Sequence, residues 1–237
     1  MQKDSIILPI KALIKQSPKL TRFLANYVDH FYEDYSAHKL FLEKNRSKNL
    51  KLNLGSGADM LVDSFKNVDY YPMKGVSLCA DVHDLPFREN SIDALQCMQL
   101  SEHVENPKRM AMEIHSVLKP AGEVFLTVPF MYPYHEAPID LNRWSQEGLK
   151  NLMQEFVPIK VGVLGGPTAT LVEALHGWLS ILLSFNSDKV YQVIYLLLLP
   201  FLKPFKIIDR IFLNKYSSSH RLAAMFYFHG KKRERLS

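Results

Sequence analysis

The run at residues 49–57, NLKLNLGSG, constrains this chain more than any other stretch. Leu50, Leu52 and Leu54 alternate as in a short buried strand, which breaks into Gly55-Ser56-Gly57. Glycine accepts tight turns with positive φ and lets a ligand touch the backbone. In an open α/β sheet such a turn lies at the carboxyl end of its strand, where ligands bind. A Gly-x-Gly turn can equally be a plain tight connection, so its meaning depends on the strands downstream.

Downstream of the turn lies a series of short strands that end in polar residues. Residues 66–72, KNVDYYP, read as a second strand ending at Asp69. An acid there can accept both hydroxyls of a ribose. Only residues 58–66 separate Gly57 from Asn67, which is short for a crossover helix. Either the first helix is abbreviated or the second strand pairs differently. Residues 77–80 form a third apolar run leading to Asp81, whose carboxylate suits an exocyclic amine, with the Val82 amide beside it for a ring nitrogen. Ile92–Met98 reads as the fourth strand and delivers Gln99, Leu100, Ser101 and Glu102 to the same edge. Asn106-Pro107 caps a helix with Met110, Ala111, Ile114, Val117 and Leu118 on one face, stopped by KPAG at 119–122. Residues 124–128 are the fifth strand.

In this order, LNLGSG, NVDYYP, ADVHDLPF, SIDALQCMQLSEHV, a helix ending VLKPAG, and EVFLTVPF resemble the class I S-adenosylmethionine-dependent methyltransferases. The branch is the one with a Glu-His-Val element after strand four. The resemblance covers roughly residues 49–156. It implies an α/β fold: a Rossmann-like, mostly parallel, seven-stranded sheet with helices on both faces. It also implies S-adenosyl-L-methionine over the ends of strands one, two and four. Gly55 and Gly57, with Asn53 and Ser56, fall at the cofactor's amino-acid end, Asp69 at the ribose, Asp81 and Val82 at the adenine, and Gln99 near the methionine moiety. The chain departs from the pattern at Asn53, where many relatives carry an acid, and at Asp59, where a third glycine is common. Met60 occupies the last glycine position of a dinucleotide fingerprint, which places a nucleotide-dependent oxidoreductase second.

The loop after strand five, residues 129–149, holds His135, Asp140 and Arg143, and a similar pattern lines the acceptor side in that branch. Methyl transfer is a displacement on an activated sulfonium, so alignment is the main demand on the protein. A hydroxyl acceptor must also lose a proton, and a histidine titrating near neutrality suits that task. His135 is the first candidate base, with Glu102 and Asp140 as further candidate catalytic residues. The alternatives are an Asp140–Arg143 pair that only fixes the loop and a His103 that only packs. No metal is expected.

The flanks differ in character. Residues 1–50 carry nine Lys/Arg against five Asp/Glu, residues 51–150 nine against fourteen, and residues 151–237 eleven against five. Residues 6–15 are apolar but short, broken by Pro9 and two lysines, and carry no small-residue cleavage site, so no signal peptide is expected. Residues 17–35 follow a Ser-Pro start with apolar residues at helical spacing. Ser145 caps a further helix, residues 159–164 read as strand six, and residues 223–229 as an antiparallel strand seven. Residues 168–219 replace a short hairpin with two leucine-rich helical runs that are too short to span a bilayer. Lys203, Lys206, Arg210, Lys215 and the KKRER tail at 231–235 offer a basic rim for an anionic interface. Two buried cysteines, Cys79 and Cys97, fit a reducing compartment.

The expected organisation is a helical cap (1–48), a cofactor-binding core (49–166), an apolar insertion (167–219) and a last strand with a basic tail (220–237). The expected function is O-methylation of a glycan, lipid-linked or small-molecule acceptor, in the cytoplasm or at the inner face of a membrane. A catalytically degenerate, membrane-peripheral cofactor binder is the non-enzyme alternative. The basic residues interleave with leucines and form no aromatic platform, which argues against nucleic acid.

Overall fold

The computed structural model describes residues 35–57, 64–135 and 139–233. The expected helix over 17–35, and most of the short connection after Gly57, lie outside them. The chain divides into two compact units. One comprises residues 35–130 and 134–164 with the strand beginning at Met225; the other comprises residues 165–224 with 131–133.

The first unit is built on a seven-stranded sheet. Its strands are β1 (Lys51–Leu54), β2 (Lys66–Asp69), β3 (Leu78–Cys79), β4 (Ile92–Met98), β5 (Leu118–Pro129), β6 (Phe156–Gly165) and β7 (Met225–Lys232). The order across the sheet is β3-β2-β1-β4-β5-β7-β6. Strands β1 to β5 pair in parallel, and β7 runs antiparallel to β5. The sequence reverses direction across the sheet between β1 and β4. The carboxyl ends of these two strands therefore flank the crevice where ligands settle in open α/β folds. Leu52, Leu54, Ala94, Leu95, Val124 and Leu126 are fully buried, as strands covered on both faces require.

Among the described residues three helices flank the sheet: α1 (Ser36–Lys44), α2 (Pro107–Val117) and α3 (Gln146–Leu152). The caps are those the sequence announced. Asn106 Oδ1 accepts from the Arg109 amide at 3.0 Å, and Ser145 Oγ from the Gly148 amide at 3.2 Å. Met110, Ala111, Ile114 and Val117 form the buried stripe of α2. Helix α1 was expected within the amino-terminal cap, but it is part of the core. Its Phe41 is fully buried, with ring centroids 5.5 Å from Phe125 and 6.0 Å from Phe65. The core therefore begins near Tyr35 rather than at residue 49.

A chain of side-chain amides crosses the sheet interior. His38 Nε2 meets Gln96 Oε1 at 2.8 Å, and Gln96 Nε2 donates to Asn53 Oδ1 at 2.9 Å. Asn53 Nδ2 donates to Asn67 Oδ1 at 3.0 Å, and Asn67 Nδ2 to the Gly75 carbonyl at 3.1 Å. Asn53, Asn67 and Gln96 are paired residues on β1, β2 and β4. This corrects the placement of Asn53 among the cofactor ligands: both ends of its amide are engaged inside the sheet.

Two further expectations change. Cys79 is exposed, because β3 is a two-residue edge strand; only Cys97 is buried. Burial and the neighbouring Glu102 push the Cys97 thiol well above its ordinary range. The basic tail is not simply a surface feature either. Lys232 Nζ turns onto the carbonyls of His115, Ser116 and Leu118, at 2.5, 3.2 and 2.8 Å, where it satisfies the open end of α2.

The second unit contains α4 (Pro167–Leu183), α5 (Asp188–Leu202) and α6 (Ile207–Ile211), with short 3₁₀ turns at Lys203–Lys206, Leu213–Lys215 and Ser219–Leu222. Helix α4 follows Gly166, which has no side chain to cap it; the Asp209 carboxylate accepts from the Thr168 and Ala169 amides at 2.8 and 2.6 Å instead. The polarity of this unit is inverted. Glu173, His176, Ser180, Gln192, Lys203, Lys206 and Asp209 are buried, whereas Leu171, Trp178, Ile181, Leu182, Phe185, Leu197 and Phe201 are exposed. Lys203 and Lys206 both pair with Glu173, so they are not the exposed cationic rim expected of them. Burial alone would raise the Glu173 pKa, but the two ammonium groups prevail and hold it below the ordinary range. Among the described residues no helix is long and apolar enough to cross a membrane.

Candidate functional site

The turn after β1 is held by what lies beneath it. Gly55 has φ +64°, and its amide donates to the Val68 carbonyl at 2.9 Å. A Cβ at Gly55 would stand 2.7 Å from the Leu100 side chain, so the turn closes tightly against the end of β4. Gly57 has φ +57°, but a Cβ there would meet nothing within 4 Å. Its amide donates to Asp69 Oδ2 at 2.8 Å, and Asp69 Oδ1 accepts from the Tyr71 amide at 3.0 Å. Two backbone amides thus fix the carboxylate. Each of its oxygens keeps a lone pair for a ligand hydroxyl, since an ionised carboxylate accepts at about four sites.

Further along the edge, Asp81 accepts from the His83 amide at 2.9 Å and from His83 Nδ1 at 2.8 Å. The backbone bond, followed by the imidazole, holds the Asp81 carboxyl below its ordinary range despite opposing desolvation. Val82 is buried beside it. Gln99, just past β4, has φ +49°. That is an uncommon conformation for a residue with a Cβ, and it marks strain of the kind stored at functional sites. Bonds from the Gln99 amide to Thr127 Oγ1 at 3.0 Å and from Gln99 Nε2 to Met225 Sδ at 2.8 Å hold it there. Ser56 is buried, and its hydroxyl bonds the Gly57 carbonyl at 3.3 Å.

A second cluster adjoins Gln99 in sequence. Glu102 lies on the 3₁₀ turn Ser101–His103, is fully buried, and neither carboxyl oxygen has a hydrogen-bond partner among the described residues. Its Oε1 stands 3.7 Å from His135 Nε2 and 3.9 Å from His103 Nε2. The two imidazoles meet edge to face with centroids 5.0 Å apart. The loop after β5 is tied to this turn: the Glu102 carbonyl accepts from the Leu141 and Asn142 amides at 2.8 and 3.2 Å. His103 Nδ1 bonds the Ile139 carbonyl at 2.6 Å. His135 Nδ1 lies 3.3 Å from Asp140 Oδ2, which also accepts from the His135 amide at 2.9 Å. Arg143 grips both oxygens of Asp140. Burial would raise the Asp140 pKa, but Arg143 and the His135 amide together bring it to about 2.

The structure thus sorts the candidate residues. Gly55, Ser56, Gly57 and Asp69 form one constellation at the ends of β1 and β2. Asp81 and Val82 follow β3. Gln99, Glu102, His135 and Asp140 gather where β4 and β5 end. His103, which the sequence leaves equally open to packing and to a place near the acceptor, turns its ring toward the same carboxyl as His135. The signal was its adjacency to Glu102, which a 3₁₀ turn converts into a shared direction.

Residues 52–126 match the model of the family described as a methyltransferase domain. Residues 52–126 thus resemble a methyltransferase domain, and the sheet has the class I methyltransferase fold. The mostly parallel, seven-stranded sheet and its antiparallel seventh strand are those the sequence resemblance implies, and a solved neighbour has the same fold. That structure, from Thermotoga maritima, is described as an S-adenosylmethionine-dependent methyltransferase and possible histamine N-methyltransferase. It superimposes with a TM-score of 0.54 at 14% identity, over 89% of this chain and 93% of that one. In sequence, this chain is 29% identical over 126 residues to an uncharacterised protein of Methanocaldococcus jannaschii, 47% of this chain and 54% of that protein. It is 32% identical to the ubiquinone biosynthesis O-methyltransferase of Coxiella burnetii, over 30% of this chain and 32% of the enzyme. The chain therefore spans about half the length of the archaeal relative and a third of the bacterial enzyme.

Proposed function

We propose that this methyltransferase domain uses S-adenosyl-L-methionine to methylate an oxygen of its acceptor. The Asp69–Gly57 bridge carries the cofactor part of the reading. A carboxylate with lone pairs to spare is fixed at the end of β2, beside a glycine whose side-chain direction is open. Such a pair accepts a ribose diol while letting the rest of the ligand pass over the backbone. Bound there, the cofactor supplies a methyl group on a sulfonium. The acceptor oxygen would take that methyl group in line with the breaking carbon–sulfur bond, and the sulfur would leave as a neutral thioether. His135, oriented by Asp140, is placed to take the acceptor's proton. The O-methyltransferase relatives of Coxiella burnetii favour oxygen as the methylated atom.

The inverted polarity of the α4–α5 unit supports a lipid-linked or membrane-assembled acceptor. A unit that buries lysine and glutamate while exposing Trp178 and Phe201, 57% and 72% accessible, is matched to an apolar environment. The exposed Lys189, Arg210 and Lys215 fit an anionic interface. Glycan and soluble small-molecule acceptors remain readings of the same site.

Calorimetric titration with S-adenosylmethionine, S-adenosylhomocysteine and NAD tests the cofactor. Micromolar binding of the first two, roughly −8 kcal/mol, is expected. No binding of either, or tighter binding of the dinucleotide, overturns the assignment.

A further inference from the structure

The Glu102 carboxyl is an anomaly. A buried carboxyl group is normally hydrogen-bonded, whether or not it carries a proton, because leaving it bare forfeits its hydration without replacement. Glu102 is fully buried, and both oxygens lack a hydrogen-bond partner among the described residues. Two imidazole nitrogens stand 3.7 and 3.9 Å from Oε1, too far for a hydrogen bond.

The orientation of those rings is fixed from behind. His103 Nδ1 faces a backbone carbonyl, which can only accept, so that nitrogen carries the hydrogen. His135 Nδ1 faces Asp140 Oδ2, and Arg143 donates to both oxygens of that carboxylate, which is therefore also an acceptor. In the neutral imidazoles both Nε2 atoms then present lone pairs toward Glu102 Oε1. The three atoms lie within 4.8 Å of one another. Ligating histidines usually give their other ring nitrogen to a carbonyl or a carboxylate in this way.

We propose that Glu102, His103 and His135 form a binding site for a divalent first-row transition ion. Two imidazoles and one carboxylate suit zinc, iron(II), manganese or cobalt, and they do not suit calcium or magnesium, which take oxygen. Ligands about 2.1 Å from a tetrahedral ion stand about 3.4 Å apart, so binding draws each imidazole a few tenths of an ångström toward Glu102 Oε1, now 3.7 and 3.9 Å away, and brings the two imidazoles, within 4.8 Å, closer together by up to about 1.4 Å. None of its three ligands is among the residues assigned to the cofactor. If the proposed reaction holds, an acceptor hydroxyl on the ion's open position would lose its proton more readily, and His135 would then serve as a ligand rather than a base.

The full chain, freed of metal with a chelator and dialysed, is titrated with Co²⁺ and followed by its visible ligand-field bands, then challenged with Zn²⁺. One equivalent per chain is expected, displaced by zinc. Glu102→Gln and His103→Ala should each weaken binding at least tenfold and abolish the bands, whereas His115→Ala, outside the cluster, should not. Melting curves guard against misfolding. Zn²⁺ should raise the Tm of the wild type but not of Glu102→Gln, which should melt no lower than the metal-free wild type. Failure to bind one equivalent, or bands that persist in both variants, overturns the site. S-adenosylhomocysteine calorimetry on the same metal-free sample reports separately on the cofactor reading.

Discussion

The Gly57 amide donates to Asp69 Oδ2 at 2.8 Å, joining the turn after β1 to the end of β2. One hydrogen bond thus sets the spacing between the two parts of the proposed cofactor cradle. Asp69→Ala should weaken S-adenosylhomocysteine binding by about 1.5–3 kcal/mol, the loss expected for hydrogen bonds to a charged acceptor. Calorimetry with wild type and variant checks this, and an unchanged affinity would move the ribose elsewhere.

The two glycines should separate under substitution. Gly55→Ala adds a Cβ against Leu100 at 2.7 Å in a left-handed backbone, so it should lower stability in urea by about 1–3 kcal/mol. Gly57→Ala carries only the backbone penalty, about 1 kcal/mol, since nothing stands in its way. Gly57→Val should instead lower cofactor affinity more than stability. Equal stability losses at both positions would contradict this geometry.

Acid should destabilise the core through Glu123. Burial opposes its ionisation, but His229 at 2.8 Å, Lys44 and Asn45 hold its pKa at about 2 against an ordinary value of 4.5. A carboxyl depressed in the folded state stabilises fully above its unfolded pKa and loses that contribution as pH falls toward the folded value. Stability from this group should therefore decline between about pH 4.5 and 2. Urea titrations across that range should show the decline in wild type and a flatter dependence in Glu123→Gln.

His135→Ala should lower turnover about 100-fold or more with cofactor affinity nearly unchanged, since its neighbours are Asp140 and Glu102. Arg143→Lys loses the two-pronged grip on Asp140 and should give a smaller loss in kcat. Single-turnover assays with labelled cofactor would resolve both. A fully active His135→Ala enzyme would remove His135 from the proton path.

The exposed face of α4 and α5 should bind anionic vesicles in a salt-sensitive manner. Leu197→Glu with Phe201→Glu should abolish co-sedimentation without unfolding the chain, because both side chains are exposed. Wild type that stays in solution at low salt would point to a soluble acceptor.

Much of the fold could be read before the structure, for identifiable reasons. Strand β4 has the bounds the sequence predicted, because a run of apolar residues ends at polar ones on both sides. The caps at Asn106 and Ser145 follow from side chains that satisfy the first amides of a helix. The failures share a cause as well. Asn53, Lys203, Lys206 and Lys232 are polar, and polarity in one dimension reads as exposure or ligand contact. Each instead finds a partner distant in sequence: Asn67 and Gln96, Glu173, and the end of α2. Pairing of that kind has no local pattern. The link between His103 and His135 is of the same type, 32 residues apart and brought together by the loop's return to the Glu102 carbonyl and to His103.

The row of amides through Gln96, Asn53 and Asn67 has a consequence for how the sheet assembles. Apolar strands buried on both faces are poorly distinguished by hydrophobicity alone, since a shifted partner buries nearly as much surface. Here each donor in the row meets an acceptor only when β2, β1 and β4 are aligned as they are. A slip by one residue would turn these amides to opposite faces and strand several polar groups in a dry interior, at roughly 1–3 kcal/mol each. The row therefore acts as an alignment key. It adds little to the depth of the native state but penalises the misaligned sheets that compete with it.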